Sequence, residues 1–440
     1  MEKKEIIVLG GGISGLSLLW YLRKLFPDRS LLLLDKADRV GGVVQQVVQE
    51  DVIFDQGPKT FRVSSGGSIL ELIDEVHLQD QLLFSSPQAN KKYLYFDRKL
   101  HAMSLGSSVT LKMLPGLCKE PFVRKALQGD ETIGAFMRRR FGNYIADSCV
   151  QPFVAGICGG DMHKLSMQAY FPTLKKWEEE KGSVVKGMLL KKSSKKKRQS
   201  SLFTLRGGLA TLTTALGHLM KDHIRLRHQV HEIKQVGKQL ELYTNQGAFL
   251  AEEVFSALPI GALRQIQLPF AKKLGFFYDF PVASLVSVSF AYKEDVLQRK
   301  GFGYLVPAKE KEKILGVLFD KATFPMLDSS SYLTKLTVMM GGSLHPEMID
   351  FSDEQLVQVA SDALFRHLGI SEKPCRYLVS RYPESIPQYP LYHGQRLEQL
   401  LAYLRQTCPH FKLAGSYLTQ ASVAACIEHS KNLAYEYARC

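Results

Sequence analysis

The first forty residues constrain the fold more than any other stretch. Gly10-x-Gly12-x-x-Gly15 follows the short apolar run Glu5-Ile6-Ile7-Val8-Leu9, and Leu16, Leu18, Leu19, Leu22 and Leu25 then recur at helical spacing. The order reads strand, turn, helix. Leu31 to Leu34 form a second buried strand, closing a βαβ unit of about 30 residues as a parallel sheet requires. In such a unit the first glycine permits a tight turn, the second lets a pyrophosphate approach the backbone, and the third allows close helix–strand packing. The phosphates then sit at the positive end of the helix. Asp35 ends the second strand 23 residues after Gly12, placed to accept hydrogen bonds from a ribose diol. A dinucleotide is therefore the expected ligand.

The remaining sequence bounds what surrounds this unit. At 440 residues, with roughly 150 per domain, two or three structural units are expected. A hydrophobic fraction of 45% and a charged fraction of 23% exclude collagen-like, mucin-like and largely disordered chains. Ile224, Leu226 and Val230 alternate, Leu240 and Leu242 follow, Asn245-Gln246-Gly247 makes a turn and Val254 to Leu258 form a strand, together predicting a β-meander. Residues 105–200 read as helical, residues 281–342 as β-rich, and Val423 to Tyr437 as a helix. His223, His228 and His231 read as ordinary strand positions, and no metal is expected. The seven cysteines contain no Cys-x-x-Cys pair, which suits a reducing cytosol better than a zinc ribbon or a disulfide framework.

Lysine and arginine (57) exceed aspartate and glutamate (43) by 14, which suggests an anionic partner. Half of that excess lies between Lys175 and Ser200, where ten basic residues meet three glutamates. Lys191-Lys192-Ser193-Ser194-Lys195-Lys196-Lys197-Arg198 follows the apolar step Gly187-Met188-Leu189-Leu190. Such a pairing suits a grip on an anionic leaflet, with a solvated loop as the alternative. No nucleic acid is expected, since no aromatic stacking platform accompanies the charge. Only four apolar residues separate the basic start from the glycines, so no signal peptide is expected. No run approaches the eighteen or so apolar residues of a spanning helix. The expected location is cytoplasmic, peripheral on the cytoplasmic face of a membrane.

After Asp35 come Arg39-Val40-Gly41-Gly42 and Phe54-Asp55-Gln56-Gly57-Pro58, a continuation that resembles the amine-oxidase-like flavoproteins and favours FAD over NAD. Within that group the chain resembles the oxygen-dependent protoporphyrinogen oxidases over nearly its full length. The resemblance is carried by Asp130-Glu131-Thr132, Leu205-Arg206-Gly207-Gly208-Leu209, Ser256-Ala257-Leu258-Pro259, Gly301 to Pro307, Ile386-Pro387-Gln388-Tyr389 and Cys426-Ile427-Glu428. Gly301 to Pro307 and Ile386 to Tyr389 are the most discriminating.

The resemblance implies an α/β fold with a discontinuous Rossmann-type FAD-binding domain (1–88, 203–262 and 405–440). It also implies a mixed-sheet substrate domain (89–104 and 263–404) and a mainly helical, membrane-associated insertion (105–202). The implied activity, in heme biosynthesis, is oxidation of a porphyrinogen to the porphyrin in three two-electron steps, with dioxygen as acceptor and hydrogen peroxide as by-product. Non-covalent FAD carries the chemistry, and no catalytic side chain is nominated. Implied cofactor contacts are Gly10, Gly11, Gly12, Ile13, Ser14, Gly15, Asp35, Lys36, Arg39, Gly41, Gly42, Val43, Gly57, Pro58, Lys59, Thr60, Val230, Ala421, Ser422 and Val423. Implied substrate contacts are Lys92, Gly156, Phe302, Leu305, Leu318 and Met339. A second copy of the chain is left open as a partner.

Three departures stand out. Lys92 replaces an arginine expected to face a propionate, which loses the bidentate fork. Gln420 and Ser430 replace glycines, leaving nearby flavin contacts open, and Val43 replaces a bulkier or basic residue. Val306-Pro307 and Phe324-Pro325 favour protoporphyrinogen IX over coproporphyrinogen III. An amine oxidase, a carotenoid desaturase and an inactive flavin-fold interaction protein are the remaining alternatives.

Overall fold

The computed structural model describes all residues except 64–66, 127–128, 191–201, 271–274 and 440. Glu2–Leu9 is the central strand of the first sheet, flanked in parallel by Leu31–Leu34 and by Gly247–Ser256. Ile224–Arg225 extends the Leu31 edge in parallel, and Phe411–Leu413 pairs with the end of Gly247–Ser256. Val230–Val236 and Gln239–Thr244 complete an antiparallel meander on the first half of that same strand.

Period-two alternation sorts these strands between two cores. Ile6, Val8, Leu31 and Leu33 point to one side, against the helices Ile13–Leu25, Gly67–Glu75, Ala210–Leu219 and Val423–Tyr437. Ile7, Leu9, Leu32 and Leu34 point to the other, against the meander and Phe270, Phe277, Leu400 and Leu404. Burial on both faces explains why these strands read as continuous apolar runs.

The second sheet is mixed and runs Arg376–Pro387, Val282–Tyr292, Thr334–Gly341, Ile314–Leu318, Gly303–Leu305, Lys92–Phe96, Lys99–Ala102. One face packs Val286, Val288, Phe290, Tyr304, Val317, Leu336, Val338 and Met340 against Leu356, Ala360, Ala363 and Leu364 of the helix Asp353–Leu368. The opposite face looks toward the first sheet's loops. Gln56 and Gly57, at the end of a separate two-stranded ladder of Gln45–Gln49 and Val52–Gln56, fasten that ladder to the second sheet, donating to Ser380 Oγ at 3.1 Å and Tyr382 Oη at 2.8 Å.

Helices between Ser108 and Leu190 form a third layer with its own core of Ile133, Phe136, Met137, Phe141 and Val154. Inside it Arg140 and Glu120 are fully buried and paired, and Arg140 also reaches Glu178 at 3.3 Å. Arg139 bridges Glu178 at 2.8 Å and Glu131 at 2.6 Å, while Lys175 reaches both acids at 3.1 Å. Burial alone would raise the Glu120 carboxyl, but hydrogen bonds from Ser183, the Val184 N–H and Arg140 hold it below the usual range.

Four sequence expectations are corrected. Ile224 and Leu226 do not join the meander, because Ile224–Arg225 pairs with Leu33 and Leu34 on the opposite edge. His223 accordingly sits in a single 3-10 turn, with Nδ1 3.3 Å from the Leu31 carbonyl. The strand expected over Val254 to Leu258 ends at Ser256. Leu202 opens a strand that pairs with Phe61–Arg62 and Leu82–Phe84, so the helical layer does not extend to it. The basic run Lys191 to Arg198 lies outside the described residues.

Candidate active site

The glycine loop is assembled as its spacing requires. Gly10 turns the chain at φ +98°, and a Cβ on Gly15 would lie 1.8 Å from the Gly10 carbonyl oxygen. That clash makes Gly15 a packing glycine. Gly12 is different: a Cβ there would meet nothing nearer than Gly42 Cα at 3.9 Å, so open space lies over it. Gly12 also precedes the Ile13–Leu25 helix, which has no side-chain cap and no acid in its first turn. Its first N–H groups are left for an anion. Gly41 folds over the loop, donating to the Gly11 carbonyl at 2.8 Å, and Gly41 and Gly42 adopt φ +111° and +60°.

Asp35 is held by two backbone donors, Gly11 N–H at 2.5 Å and Ala37 N–H at 2.7 Å. Each carboxylate oxygen keeps a lone pair for a diol. Arg227 and His228 N–H groups bond the Ala37 and Asp35 carbonyls, both at 2.8 Å, and Val230 follows as the buried first residue of the meander. Lys36 and Arg39 are exposed. Arg39 borders a cleft of about 460 Å³ with Thr213, His218 and Lys221, and among the described residues no hydrogen bond is recorded between it and the glycine loop. Ser14 and Ile13 are buried in the first helical turn. Gly57 is required by its turn, since a Cβ would meet the Val43 carbonyl oxygen at 2.3 Å. Val43 itself is exposed. Pro58, Lys59 and Thr60 continue toward the second sheet.

Ala421, Ser422 and Val423 open the C-terminal helix, whose N-cap is Ser422, accepting from Ala425 N–H at 3.2 Å. Gln420 is exposed. Ser430 is fully buried and donates to the Ser14 carbonyl at 2.9 Å, so this departure ties the last helix to the first.

Of the nominated substrate residues, Lys92, Leu305, Leu318 and Met339 share one sheet face. Leu305 pairs with Gly316, Gly316 with Met339 and Met339 with Ser287. In the next same-face row Lys92 pairs with Gly303, Gly303 with Leu318, Leu318 with Thr337 and Thr337 with Ser289. Leu305, Leu318 and Met339 are the partly exposed positions of otherwise buried strands. Apolar side chains standing on glycine-floored strands can flank a flat ring. Gly156, in the helix Gln151–Cys158, meets this face: a Cβ would lie 2.4 Å from Leu305 Cδ2. Val306 is buried in the core on the opposite face.

Lys92 opens the Lys92–Phe96 strand at the rim. Protein crowding around its amine, with a smaller effect from the nearby Arg62 charge, holds it below the ordinary lysine value although the residue as a whole is exposed. Neither Lys92 nor Arg62 has a carboxylate partner among the described residues.

Between this face and the cofactor segment lies a small cavity of about 20 Å³. Phe302 and Leu318 form its apolar wall, and Asp55, Lys59, Ser289, Asp320, Lys335 and Thr337 its polar one. Burial pushes the Asp55 carboxyl up, and Lys59 and Lys335 only partly offset this. Lys335 is itself paired with Asp328 at 2.8 Å. Sequence reading missed Ser289, Asp320 and Thr337. Thr337 lies two residues from Met339, so strand alternation could have placed it on the same face; Asp320, beyond the strand end, gave no such signal.

No group of three or more His, Cys, Asp or Glu is placed to hold a metal ion among the described residues. A βαβ loop with an open, uncapped helix N-terminus and a ribose-ready acid, facing a second sheet, defines a dinucleotide-binding protein of the Rossmann type. Comparison with known proteins narrows the class. The family model for flavin containing amine oxidoreductase matches residues 13–436. Protoporphyrinogen oxidase of Bos taurus is 30% identical, with 98% of each chain covered. Coproporphyrinogen III oxidase of Bacillus subtilis is 25% identical, covering 98% of this chain and 97% of its own. A crystal structure from Exiguobacterium sp. 255-15, provisionally assigned as a protoporphyrinogen oxidase, superposes with a TM-score of 0.87 at 20% identity over 99% of both chains. The chain belongs to the flavin containing amine oxidoreductase family, in its protoporphyrinogen and coproporphyrinogen oxidase branch.

Proposed function

We propose that this protein oxidises protoporphyrinogen IX to protoporphyrin IX, with dioxygen as final acceptor and hydrogen peroxide as by-product. The observation that carries the reading is the sheet face of Leu305, Leu318 and Met339, with Phe302 beside it, opposite the Gly57 to Thr60 segment. Non-covalent FAD would be held by Gly10 to Gly15, Asp35, Gly41 and Gly42, and supplies a two-electron acceptor there. The protein contributes orientation and water exclusion. Lys92 would meet a propionate at the rim as a point charge.

Coproporphyrinogen III is the second reading, favoured by the uncompensated pair Lys92 and Arg62, since that substrate carries four propionates rather than two. Comparing kcat/KM on the two porphyrinogens decides between them. Protoporphyrinogen IX is expected to give the higher value. Flavin-loaded protein that turns over neither would reject both readings.

An anionic membrane surface as partner is supported by the helix Ser108–Lys119, where only Val109 is buried. Leu111, Leu114, Pro115 and Cys118 are exposed at the i, i+3, i+4, i+7 spacing of one face. Phe122 and Met188 to Leu190 add further exposed apolar side chains in the same layer. No helix of the described residues is long and apolar enough to cross a membrane, so the proposed attachment is to one face.

A further inference from the structure

A buried chain of polar groups crosses the small cavity, and the proposed function gives it no task. Lys59 Nζ donates to the Asp55 carbonyl at 2.7 Å and to Ser289 Oγ at 3.4 Å. Ser289 Oγ lies 2.8 Å from Thr337 Oγ1, and Thr337 Oγ1 is 2.7 Å from Asp320 Oδ2. A carboxylate can only accept. Thr337 therefore donates to Asp320, Ser289 to Thr337, and Lys59 to Ser289, so all three hydrogen bonds point toward Asp320.

Ser289 and Thr337 are almost fully buried, so the chain is shielded from competing water. Asp320 Oδ1 makes no hydrogen bond among the described residues, and the carboxylate lines the cavity beside Phe302 and Leu318. A polar space of about 20 Å³ is large enough for a single water and too small for a macrocycle. The groups thus flank the ring face rather than fill it. The other charged groups at the cavity are Asp55, Lys59 and Lys335, with Asp328 paired behind Lys335.

We propose that Asp320 is the base that takes the proton released in each two-electron oxidation, with Thr337 and Ser289 as positioning residues that hold its carboxylate. The inference rests on the porphyrinogen oxidase reading. In each of three steps one meso C–H bond would break, its hydrogen and electron pair leaving as hydride to the FAD that the site would hold. One further hydrogen leaves as a proton, whose bonding pair stays in the macrocycle as a new double bond: a pyrrole N–H proton in two of the steps and a proton from the remaining meso CH2 in the other. That proton forms an O–H bond on Asp320, directly or through one cavity water. Three hydrides and three protons together account for the four meso and two N–H hydrogens lost.

The test uses flavin-loaded full-length protein under anaerobic stopped flow. Asp320→Asn is expected to slow flavin reduction by porphyrinogen about 100-fold or more and to remove the acidic limb of its pH profile. Flavin content and porphyrin binding, read by fluorescence quenching, stay within about twofold. Thr337→Val removes the hydroxyl at nearly constant volume and is expected to slow reduction about tenfold. Combined with Asp320→Asn it should add little further loss, as two members of one unit do. Formate should partly restore the rate of Asp320→Ala. Asp320→Asn with wild-type reduction rate and pH profile overturns the proposal. A wild-type flavin that porphyrinogen cannot reduce instead overturns the underlying reading, so the two failures are distinct.

Discussion

Gly12 and Gly15 belong to one motif but differ in what their missing side chains make room for. A methyl on Gly15 collides with the Gly10 carbonyl, a backbone atom that cannot yield without moving the loop. A methyl on Gly12 enters open space that a diphosphate would otherwise use. Gly12→Ala is therefore expected to fold with thermal stability close to wild type but to purify with several-fold less flavin, read from the flavin-to-protein absorbance ratio. Gly15→Ala is expected to lose soluble folded protein altogether. Lys92 carries the second expectation at this scale. Its amine is held below the ordinary lysine value, so its positive charge is present below that lowered pKa and is lost as pH rises through it. KM for a propionate-bearing substrate should rise with pH before the ordinary lysine value of about 10.4 is reached. Lys92→Arg should abolish that rise and Lys92→Met should raise KM about tenfold at neutral pH with kcat within twofold.

Among the elements, the helical layer depends most on a few residues. Glu120, Arg140 and Glu178 are buried in its centre, and removing one partner leaves a buried charge uncompensated, at a cost of about 3–5 kcal/mol. Arg140→Met is expected to lower the unfolding free energy of this layer by that amount and its midpoint accordingly, measured by denaturant titration with Trp177 fluorescence. Charge-free packing that leaves the midpoint unchanged would show the pair to be dispensable. The Glu120 and Glu178 carboxyls both lie below their usual value. For Glu178, too, burial opposes the shift, and the hydrogen bonds from Arg139 and Lys175 win. Their contribution to stability is present above the unfolded carboxylate value of about 4.3 and is lost as pH falls below it, through the folded values. Ser430 shows the same dependence on context. A serine where the family tends to have glycine is read from sequence as a doubtful flavin contact, yet it donates to Ser14 and joins two helices.

For the whole molecule, the proposed membrane contact can be tested at the exposed apolar row on Ser108–Lys119. Leu111→Asp together with Leu114→Asp is expected to reduce sedimentation with anionic vesicles several-fold while leaving turnover of a soluble porphyrinogen unchanged. Undiminished sedimentation would move the attachment elsewhere. Any residual sedimentation should fall with added salt in this variant as in the wild type, because screening acts on the charges and not on the apolar row.

The parallel βαβ unit, its glycine loop and Asp35 were legible because their information is local: fewer than forty consecutive residues carry the spacing, the apolar periods and the turn glycines. The β-rich reading of residues 281–342 likewise covered the strands that carry Leu318 and Met339. Sequence by itself thus determined that a dinucleotide fold is present and which family it resembles. Only the tertiary structure decided which strands lie side by side, because pairing joins residues far apart in the chain. Lys59 meets Ser289 across 230 positions, and Thr337 meets Asp320 only once Ile314–Leu318 has paired with Thr334–Gly341. Those contacts follow from register and from burial of the opposite face against Asp353–Leu368. No run of neighbouring residues encodes them.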